Sequence, residues 1–465
     1  MNLQHTLNRV TAVVLISFSM IALSLGYWSV VGGDSLLARS DNPRLVEAER
    51  AIQRGMIVDR HEAVLAKTDL VGHSVSGQPV MKRVYPFGDD ASVVGYYSLR
   101  YGSGGVEAAF DSELRGSQTE VDRLLHRVQM GSDLQLTIDM PLQQAIIAAM
   151  GRSPGAVVVV EVPSGAVRAL ISLPSYDPER LDDTYSLLRL NPFAPLLNRV
   201  TQGIYQPGGA LQTIILATLL TDRQTLDQTV LGAAEPIRIN GLTIACTSTG
   251  ASVKTFADAY AQACPSPFVD AAMSAPGDVQ DMFNAFGLLE APNLIKFGTV
   301  SGRTPTALTN FRDPVKLRAQ ASGQGDLTVT PLQMALVAAT IANRGNTVTP
   351  YLVQAIRAPN SGTWQALNPL PEEHAVITGD VTDAIRSAMR EAVTRGAASA
   401  ADQPDLTIYG HASYAYTGVT ANSWFIGFIE LPDDQAVVVA VALEGKNDPA
   451  LASKIGGTAL REAAK

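Results

Sequence analysis

The chain has 465 residues, of which 46% are hydrophobic and 17% are charged, and this length allows more than one domain with a sizeable core. The formal net charge of −9, without a long run of lysine and arginine, excludes the concentrated basic face that nucleic-acid binding needs. No Cys/His cluster has the spacing of a zinc site, and we expect neither a metal nor a cofactor.

The first predicted element is a membrane helix over residues 10–31, an uncharged apolar run long enough to cross a bilayer. Arg9 precedes this run, and a positive residue on the short side favours a cytoplasmic tail over residues 1–9. We therefore expect a single-pass anchor in the cell membrane, with the bulk of the chain extracytoplasmic. A signal peptide that is later cleaved remains the alternative.

Residues 35–131 contain many glycines and prolines between short apolar runs, a pattern that predicts a small, β-containing module. A second domain is predicted over residues 132–465. It starts with a helix that Asp139 can cap, with Pro141 in its first turn. A later helix begins at Thr330-Pro331, and a last one runs roughly from Asp448 to Ala464.

Two apolar hairpins frame this second domain. The first is AVVVVEV, a turn at residues 163–165, and AVRALISL; the second is SWFIGFIEL, a turn at residues 432–434, and QAVVVAVAL. Helical patterns lie between them. Strands at both ends with helices in between predict an α/β (α+β) domain whose sheet joins distant parts of the chain.

The only two cysteines of the chain are Cys246 and Cys264. In an oxidising compartment they can form one disulfide that closes a short loop, which contributes about 3 kcal/mol of stability. Two small buried thiols are the alternative interpretation of the sequence alone.

Several segments, in order along the chain, resemble one known family. In the first module, RGMIVDRHEAVLA (Arg54 to Ala66) and VVGYYSLRYGSGGVEAAFDSELRG (Val93 to Gly116) are similar to its R-G-x-I-x-D-R and V-G-Y…Y-G-x-x-G-x-E patterns. In the second domain, the segments from Gly155 to Pro178, from Ala321 to Gly345 and from Ser423 to Phe428 match its opening hairpin, its G-Q-G…TPLQMA signature and its W-F-x-G-F strand. The family is that of the class B penicillin-binding proteins, the membrane-anchored transpeptidases of cell-wall synthesis.

The resemblance implies a transpeptidase-like domain with a central antiparallel sheet flanked by helices, preceded by a dimerisation or pedestal-like module. It also implies a D,D-transpeptidase, which transfers an acyl group through a covalent serine intermediate. Three motifs carry this chemistry in the family: P-G-S-x-x-K, S-x-N and K-T-G. Each is altered here.

The first motif falls in NRVTQGIYQPGGALQT, where Pro207 and Gly208 match the family. Gly209 stands at the serine position and Gln212 at the lysine position. Glycine has no side chain to acylate, and a glutamine amide is not a base near neutral pH. No S-x-x-K occurs anywhere in the chain, and Thr213, displaced by about one helical turn, is the nearest hydroxyl.

The second motif falls near Phe268, and the resemblance places Ala263, Cys264 and Pro265 at the three S-x-N positions. An S-D-N at residues 40–42 directly follows the membrane segment, and we expect a solvated linker there.

The third motif falls before Trp424, where Gly410-His411-Ala412-Ser413 aligns with the family's G-K-T-G. A rival register uses Tyr416-Thr417-Gly418, and both registers lack the lysine. His411 can carry a positive charge below about pH 6.5 and pair with a carboxylate, whereas the simpler expectation is a solvated strand histidine.

We therefore expect a membrane-anchored pseudo-transpeptidase that acts as a non-catalytic scaffold or regulator in peptidoglycan synthesis or cell division. The resemblance implies a partner among envelope-synthesis proteins, in the first place a polytopic membrane glycan polymerase contacted through the membrane helix and the pedestal.

Two alternatives stay open. One is a non-covalent sensor of peptidoglycan stem peptides or β-lactams, with Gly209, Gln212, His411 and Ser413 as the ligand-binding residues. The other is a transpeptidase with a relocated nucleophile, for which the hydroxyls beside the cleft are the candidates: Ser248, Thr249, Ser252 and Ser266.

Overall fold

The protein is described by a computed structural model over residues 3–30, 43–75, 77–88, 91–125, 127–249, 252–301, 313–367, 373–418 and 420–465. The S-D-N at residues 40–42 lies outside the described residues. The chain divides into two compact units. The first comprises Met1–Gln53, Thr68–Lys82 and Gln118–Gln129, and the second comprises Arg54–Lys67, Arg83–Ser117 and Met130–Lys465.

The helices are α1 (Leu3–Val30), α2 (Pro43–Arg50), α3 (Gly105–Ala109), α4 (Asp111–Arg115), α5 (Glu120–Leu124), α6 (Met140–Met150), α7 (Leu181–Leu190), α8 (Gln212–Thr221), α9 (Phe256–Ala261), α10 (Ser266–Ser274), α11 (Pro276–Ala285), α12 (Pro314–Ala321), α13 (Pro331–Ala342), α14 (Gly379–Arg395) and α15 (Pro449–Ala463). The strands are β1 (Ile57–Val58), β2 (Val64–His73), β3 (Pro79–Val84), β4 (Tyr96–Ser98), β5 (Gly102–Gly104), β6 (Asp133–Leu136), β7 (Gly155–Val162), β8 (Val167–Leu173), β9 (Ile237–Ile239), β10 (Leu242–Ile244), β11 (Val353–Arg357), β12 (Gln365–Ala366), β13 (Ile408–Thr417), β14 (Thr420–Glu430) and β15 (Ala436–Leu443).

In the first unit, α1 is the one helix of the described chain that is long and apolar enough to cross a membrane, over Asn8–Tyr27. Twenty residues at 1.5 Å each match the hydrocarbon core of a bilayer. This confirms the apolar N-terminal helix that the sequence predicts.

The centre of the second unit is an antiparallel sheet of five strands in the order β13–β14–β15–β7–β8. The two predicted hairpins are confirmed, and β15 pairs with β7 in a register that sets Val438 opposite Val160. The sheet thus joins the two ends of the domain. Strand β13 lies at its outer edge, because its only neighbour in the sheet is β14.

Both faces of this sheet are covered, which explains why its strands are apolar along nearly their whole length. One face packs against α13 in a core cluster that includes Val160, Val438 and Trp424. The other face packs against α6 and α15, with Val159 and Val439 in a second cluster. The architecture is therefore helix, sheet, helix, as expected for a mixed α/β domain.

The predicted helix starts are confirmed by their caps. The side chain of Asp139 accepts a hydrogen bond from the N–H of Leu142, and Asp448 accepts one at the start of α15. Thr330 and Gln333 form a reciprocal capping box at α13. Side chains that satisfy the free amides of the first turn fix where each helix begins.

A second sheet includes the strands β12, β11, β6, β1 and β2 as successive neighbours. Beside it, the fully buried carboxylate of Glu107 pairs with two buried arginines, Arg54 at 2.8 Å and Arg83 at 2.6 Å. Because all three charged groups meet a counter-ion and make further hydrogen bonds, this part of the small module keeps a defined polar core.

Candidate active-site cleft

The position of the family's nucleophile lies in a short 3-10 turn, Gly208–Leu211, that leads directly into α8. Gly208 has a φ of +53°, and its N–H donates to the carbonyl of Gly323 over 3.0 Å. A Cβ on Gly208 would lie 2.2 Å from the carbonyl oxygen of Tyr414, so only glycine fits there. The turn therefore holds Gly209 against the edge strand β13.

Gly209 and Ser413 compete for one small volume in the cleft. A Cβ on Gly209 would lie 2.7 Å from the Cβ and 3.3 Å from the Oγ of Ser413. Ser413 is 1% exposed and is fixed within β13, opposite Trp424 of β14. In a packed interior such an overlap has to be relieved by a shift of backbone or side chain. The side chain of Ser413 thus fills the space that a nucleophile at position 209 needs.

His411 is buried beneath this turn. Its Nε2 lies 3.1 Å from the carbonyl oxygen of Gly209, and its ring stacks on Tyr260 with a centroid separation of 4.3 Å. A carbonyl only accepts, so Nε2 carries the proton and Nδ1 is unprotonated in the neutral ring. Burial lowers the pKa of His411 from 6.5 to about 4, although the bond to Gly209 partly offsets this effect.

The two expectations for His411 are therefore wrong. The residue is 1% exposed and not a solvated strand histidine. Because its pKa is lowered to about 4, it also does not gain the positive charge that was expected just below pH 6.5. Although β13 is an edge strand, the turn at Gly209 and the ring of Tyr260 cover His411.

The remaining positions of the third motif lie at different places on β13. Ala412 alternates with its neighbours and packs into the core cluster on the opposite face of the sheet. The rival register falls at the hairpin end of the strand, where the hydroxyl of Thr417 pairs with that of Thr420 over 2.8 Å. Of the two registers, the one containing His411 and Ser413 lies beside Gly209.

Gln212, at the position of the family's lysine, is 3% exposed, and its Oε1 is buried without a hydrogen-bond partner among the described protein atoms. The next residue, Thr213, is fully buried, and its hydroxyl is bonded to that of Tyr260 at 2.8 Å. Thr213 therefore faces the core and is not presented to a substrate.

The second motif is replaced by a covalent cross-link. Ala263, Cys264 and Pro265 form a buried turn in which Ala263 has a φ of +49°. Cys264, at the middle position, is bonded to Cys246. Of the two alternatives for the cysteines, a disulfide or two buried thiols, the structure has the disulfide. Neither Ala263 nor Pro265 has a side chain that can relay a proton.

Residues 245–248, which we name the strap, pass over the cleft from this disulfide to the edge strand. Ala245 is bonded twice to the hydroxyl of Tyr414, which accepts from its N–H at 3.2 Å and donates to its carbonyl at 3.1 Å. The cavity that remains beneath the strap has a volume of about 10 Å³, the space of a single water molecule. Among the described residues, the strap therefore closes the cleft over this cavity.

The residues that line this cavity carry no charge: Gly209, Gln212, Ile244, Ala245, Thr247, Ala263, Pro265, Ala321, Ser322 and Tyr414. A cation that could hold a substrate carboxylate is thus absent from the described cleft. Within the described ranges, no group of three or more His, Cys, Asp or Glu is arranged to hold a metal ion.

Tyr260 and Tyr414 were not singled out from the sequence, although each organises the cleft. Tyr260 carries the ring under His411, and Tyr414 carries the hydroxyl that binds the strap. Their positions next to the motifs could have identified them, since Tyr260 lies just before the second motif and Tyr414 directly after Ser413.

Comparison with known families agrees with the fold described above. The model of the penicillin-binding protein transpeptidase domain matches residues 155–465, which is more than half of the chain, and that of the penicillin-binding protein A dimerisation domain matches residues 54–131. The chain belongs to the penicillin-binding protein transpeptidase family.

Among its relatives in this family is the peptidoglycan D,D-transpeptidase PbpA of Mycolicibacterium smegmatis, which is 30% identical over 98% of this chain and 99% of its own length. The structure of penicillin-binding protein A from Mycobacterium tuberculosis as an imipenem acyl-enzyme complex is 29% identical, with a TM-score of 0.78 over 90% of this chain and all of that one. The penicillin G acyl-enzyme complex of the same protein has a TM-score of 0.77 over 89% of this chain.

Proposed function

We propose that this chain is a non-catalytic member of the penicillin-binding protein family, acting as a membrane-anchored scaffold or regulator in peptidoglycan synthesis. The observation that carries the proposal is the packing of Ser413 against Gly209. Gly209 lacks the nucleophile, and Ser413 fills the place where a nucleophile would stand.

The chemistry of acyl transfer supports the same conclusion. A covalent intermediate needs a nucleophile, a base within hydrogen-bond reach and a donor for the developing oxyanion. Position 209 supplies no nucleophile, Gln212 supplies no base, and the imidazole of His411 is tied to the Gly209 carbonyl under a closed surface. Solved structures of the related M. tuberculosis protein are acyl-enzyme complexes; this chain has nothing equivalent to acylate at the aligned position.

The parts of the molecule that suit a scaffold are present. The apolar helix α1 is long enough for an anchor, and we propose that residues 1–9 are cytoplasmic and the bulk of the chain extracytoplasmic. The dimerisation-domain match over residues 54–131 supports a pedestal role for that module. A polytopic membrane glycan polymerase, or another envelope-synthesis protein in cell-wall growth or division, is the partner that we propose for these two elements.

A non-covalent sensor is less compatible with the cleft. Peptidoglycan stem peptides and β-lactams carry carboxylates, and binding them needs a cation or a set of free donors. The described cleft has an uncharged lining and a volume of about 10 Å³. Calorimetry with muropeptides would therefore show no saturable binding in the millimolar range to the protein with its disulfide intact.

The scaffold proposal is tested by two measurements on the full-length protein in membranes. A fluorescent penicillin should leave no labelled band after denaturation. Affinity capture of the full chain should recover a polytopic membrane protein of envelope synthesis, and a chain truncated before residue 32 should lose it. A labelled band would refute the absence of catalysis. Capture of the same partner after removal of α1 and also after removal of residues 54–131 would refute the scaffold role of these two elements.

A further inference from the structure

The strap is held to the rest of the domain at two sites. On one side, Cys246 is bonded to Cys264, and the N–H groups of Thr247 and Ser248 donate to the carbonyl of Gln262 at 3.0 and 3.2 Å. On the other side, only the hydroxyl of Tyr414 is bonded to it among the described polar groups, through the two hydrogen bonds of Ala245.

The strap itself has little buried surface to keep it in place. Ala245 is exposed, and Cys246, Thr247 and Ser248 are only partly buried. Segments with few buried apolar contacts and partly solvated hydrogen bonds open at low free-energy cost. The disulfide is therefore the one tether of the strap that solvent cannot compete away.

The two sulfurs differ in access. Cys264 is fully buried, whereas Cys246 is only partly buried at the surface of the strap. An incoming thiolate can therefore approach the sulfur of Cys246 and expel that of Cys264, because exchange depends on access to the attacked sulfur. The difference in burial between the two cysteines therefore decides which sulfur is attacked and which one leaves.

We propose that the Cys246–Cys264 disulfide is a latch on the cleft, and that its reduction by a dithiol releases the strap. The thiolate of the dithiol attacks Sγ of Cys246, the bond to Cys264 breaks, and the Cys264 sulfur leaves as a thiolate that takes up a proton. The second thiol of the dithiol then attacks the mixed disulfide and frees Cys246. The protein gains two electrons and two protons, and the dithiol becomes a disulfide.

Release of the strap uncovers the floor of the cleft. Gly209, Gln212, Ala263 and Pro265 line the small cavity under it, and the side-chain oxygen Oε1 of Gln212 is buried without a hydrogen-bond partner among the described atoms. The oxidised protein hides this floor and the reduced protein presents it. The latch is independent of whether the protein acts as a scaffold, since it concerns only access to the cleft.

Hydrogen exchange measured by mass spectrometry tests the latch on the full-length protein in detergent, with and without dithiothreitol. Reduction should speed exchange in peptides covering residues 244–249 by about tenfold, because the bonds of Ala245, Thr247 and Ser248 open more often. Peptides of α13 should keep their rate. An unchanged rate in the strap, or an equal rise in α13, would overturn the proposal.

Two matched variants separate the tethers of the strap. Tyr414→Phe removes the hydroxyl bonded to Ala245, and it should speed strap exchange much more in the reduced than in the oxidised protein. Tyr409→Phe is the control on the same strand, since its hydroxyl donates to Glu430 away from the strap, and it should change neither rate. If Tyr414→Phe opens the strap equally with the disulfide intact, the disulfide is not the latch.

Discussion

Compared with the family's motifs, the sheet of the second unit is preserved, whereas the cleft beside it is altered. In the sheet, Trp424 of the W-F-x-G-F strand is fully buried, donates to the carbonyl of Gln206 at 3.0 Å and packs edge-on against Tyr205. In the cleft, every position aligned with a reactive side chain carries a residue that packs, bonds locally or is cross-linked. Packing needs the volume and pattern of the side chains, and catalysis needs their chemistry.

The cleft is filled rather than emptied. A simple loss of the serine, the lysine and the S-x-N motif would leave a hollow in the domain. Instead, Ser413 fills the place beside Gly209, Tyr260 covers His411, and the strap closes the surface.

The first prediction concerns the framework. Trp424→Ala should lower the free energy of unfolding by about 3–5 kcal/mol, because it leaves a cavity beside Tyr205 and an unpaired carbonyl on Gln206. Urea unfolding followed by circular dichroism measures the loss. Trp364→Ala is the matched control, since that residue lies partly exposed against Arg357 and Glu62, and its loss should cost about 1 kcal/mol or less.

The second prediction concerns the cross-link at the second motif. Cys246→Ala removes a disulfide between residues 18 apart and should cost about 3 kcal/mol through the freedom gained by the unfolded chain. Cys264→Ala should cost more, because it also removes a fully buried side chain. Equal losses for the two variants would show that Cys264 contributes nothing beyond the bond.

The third prediction concerns pH. The folded pKa of His411 is lowered from 6.5 to about 4, so the unfolded chain binds more protons between these values. Stability is complete above about pH 6.5 and should fall by about 3 kcal/mol as the pH approaches 4. Urea midpoints measured across this window give the slope. His411→Gln should remove that part of the slope, and a slope that persists unchanged would assign it to other groups.

The fourth prediction concerns the contact between position 209 and Ser413. Gly209→Ser should destabilise the domain by about 1–3 kcal/mol, because its Cβ meets that of Ser413. In the background of Ser413→Gly the same substitution should cost little. The double-mutant cycle should therefore show a favourable coupling of about 1 kcal/mol or more. Additive effects would mean that the two residues do not share the volume.

The sequence predicted the framework well, for reasons visible in single residues. Continuous apolar runs and turns define β7–β8 and β14–β15, and Asp139, Thr330 and Asp448 mark helix starts by a local hydrogen bond. It also identified the altered cleft positions through their spacing from matching blocks. It could not give the burial of His411, which depends on Tyr260, more than a hundred residues away in the chain. Nor could it give the strap, which depends on Tyr414 reaching Ala245 across the cleft.

Intact-mass spectrometry after incubation with penicillin G shows whether position 209 or its surroundings can form an acyl-enzyme. The full-length protein should keep its original mass under denaturing conditions, in both its oxidised and its reduced form. A stable gain of one penicilloyl group, located by peptide mapping to any residue of the cleft, would contradict the account.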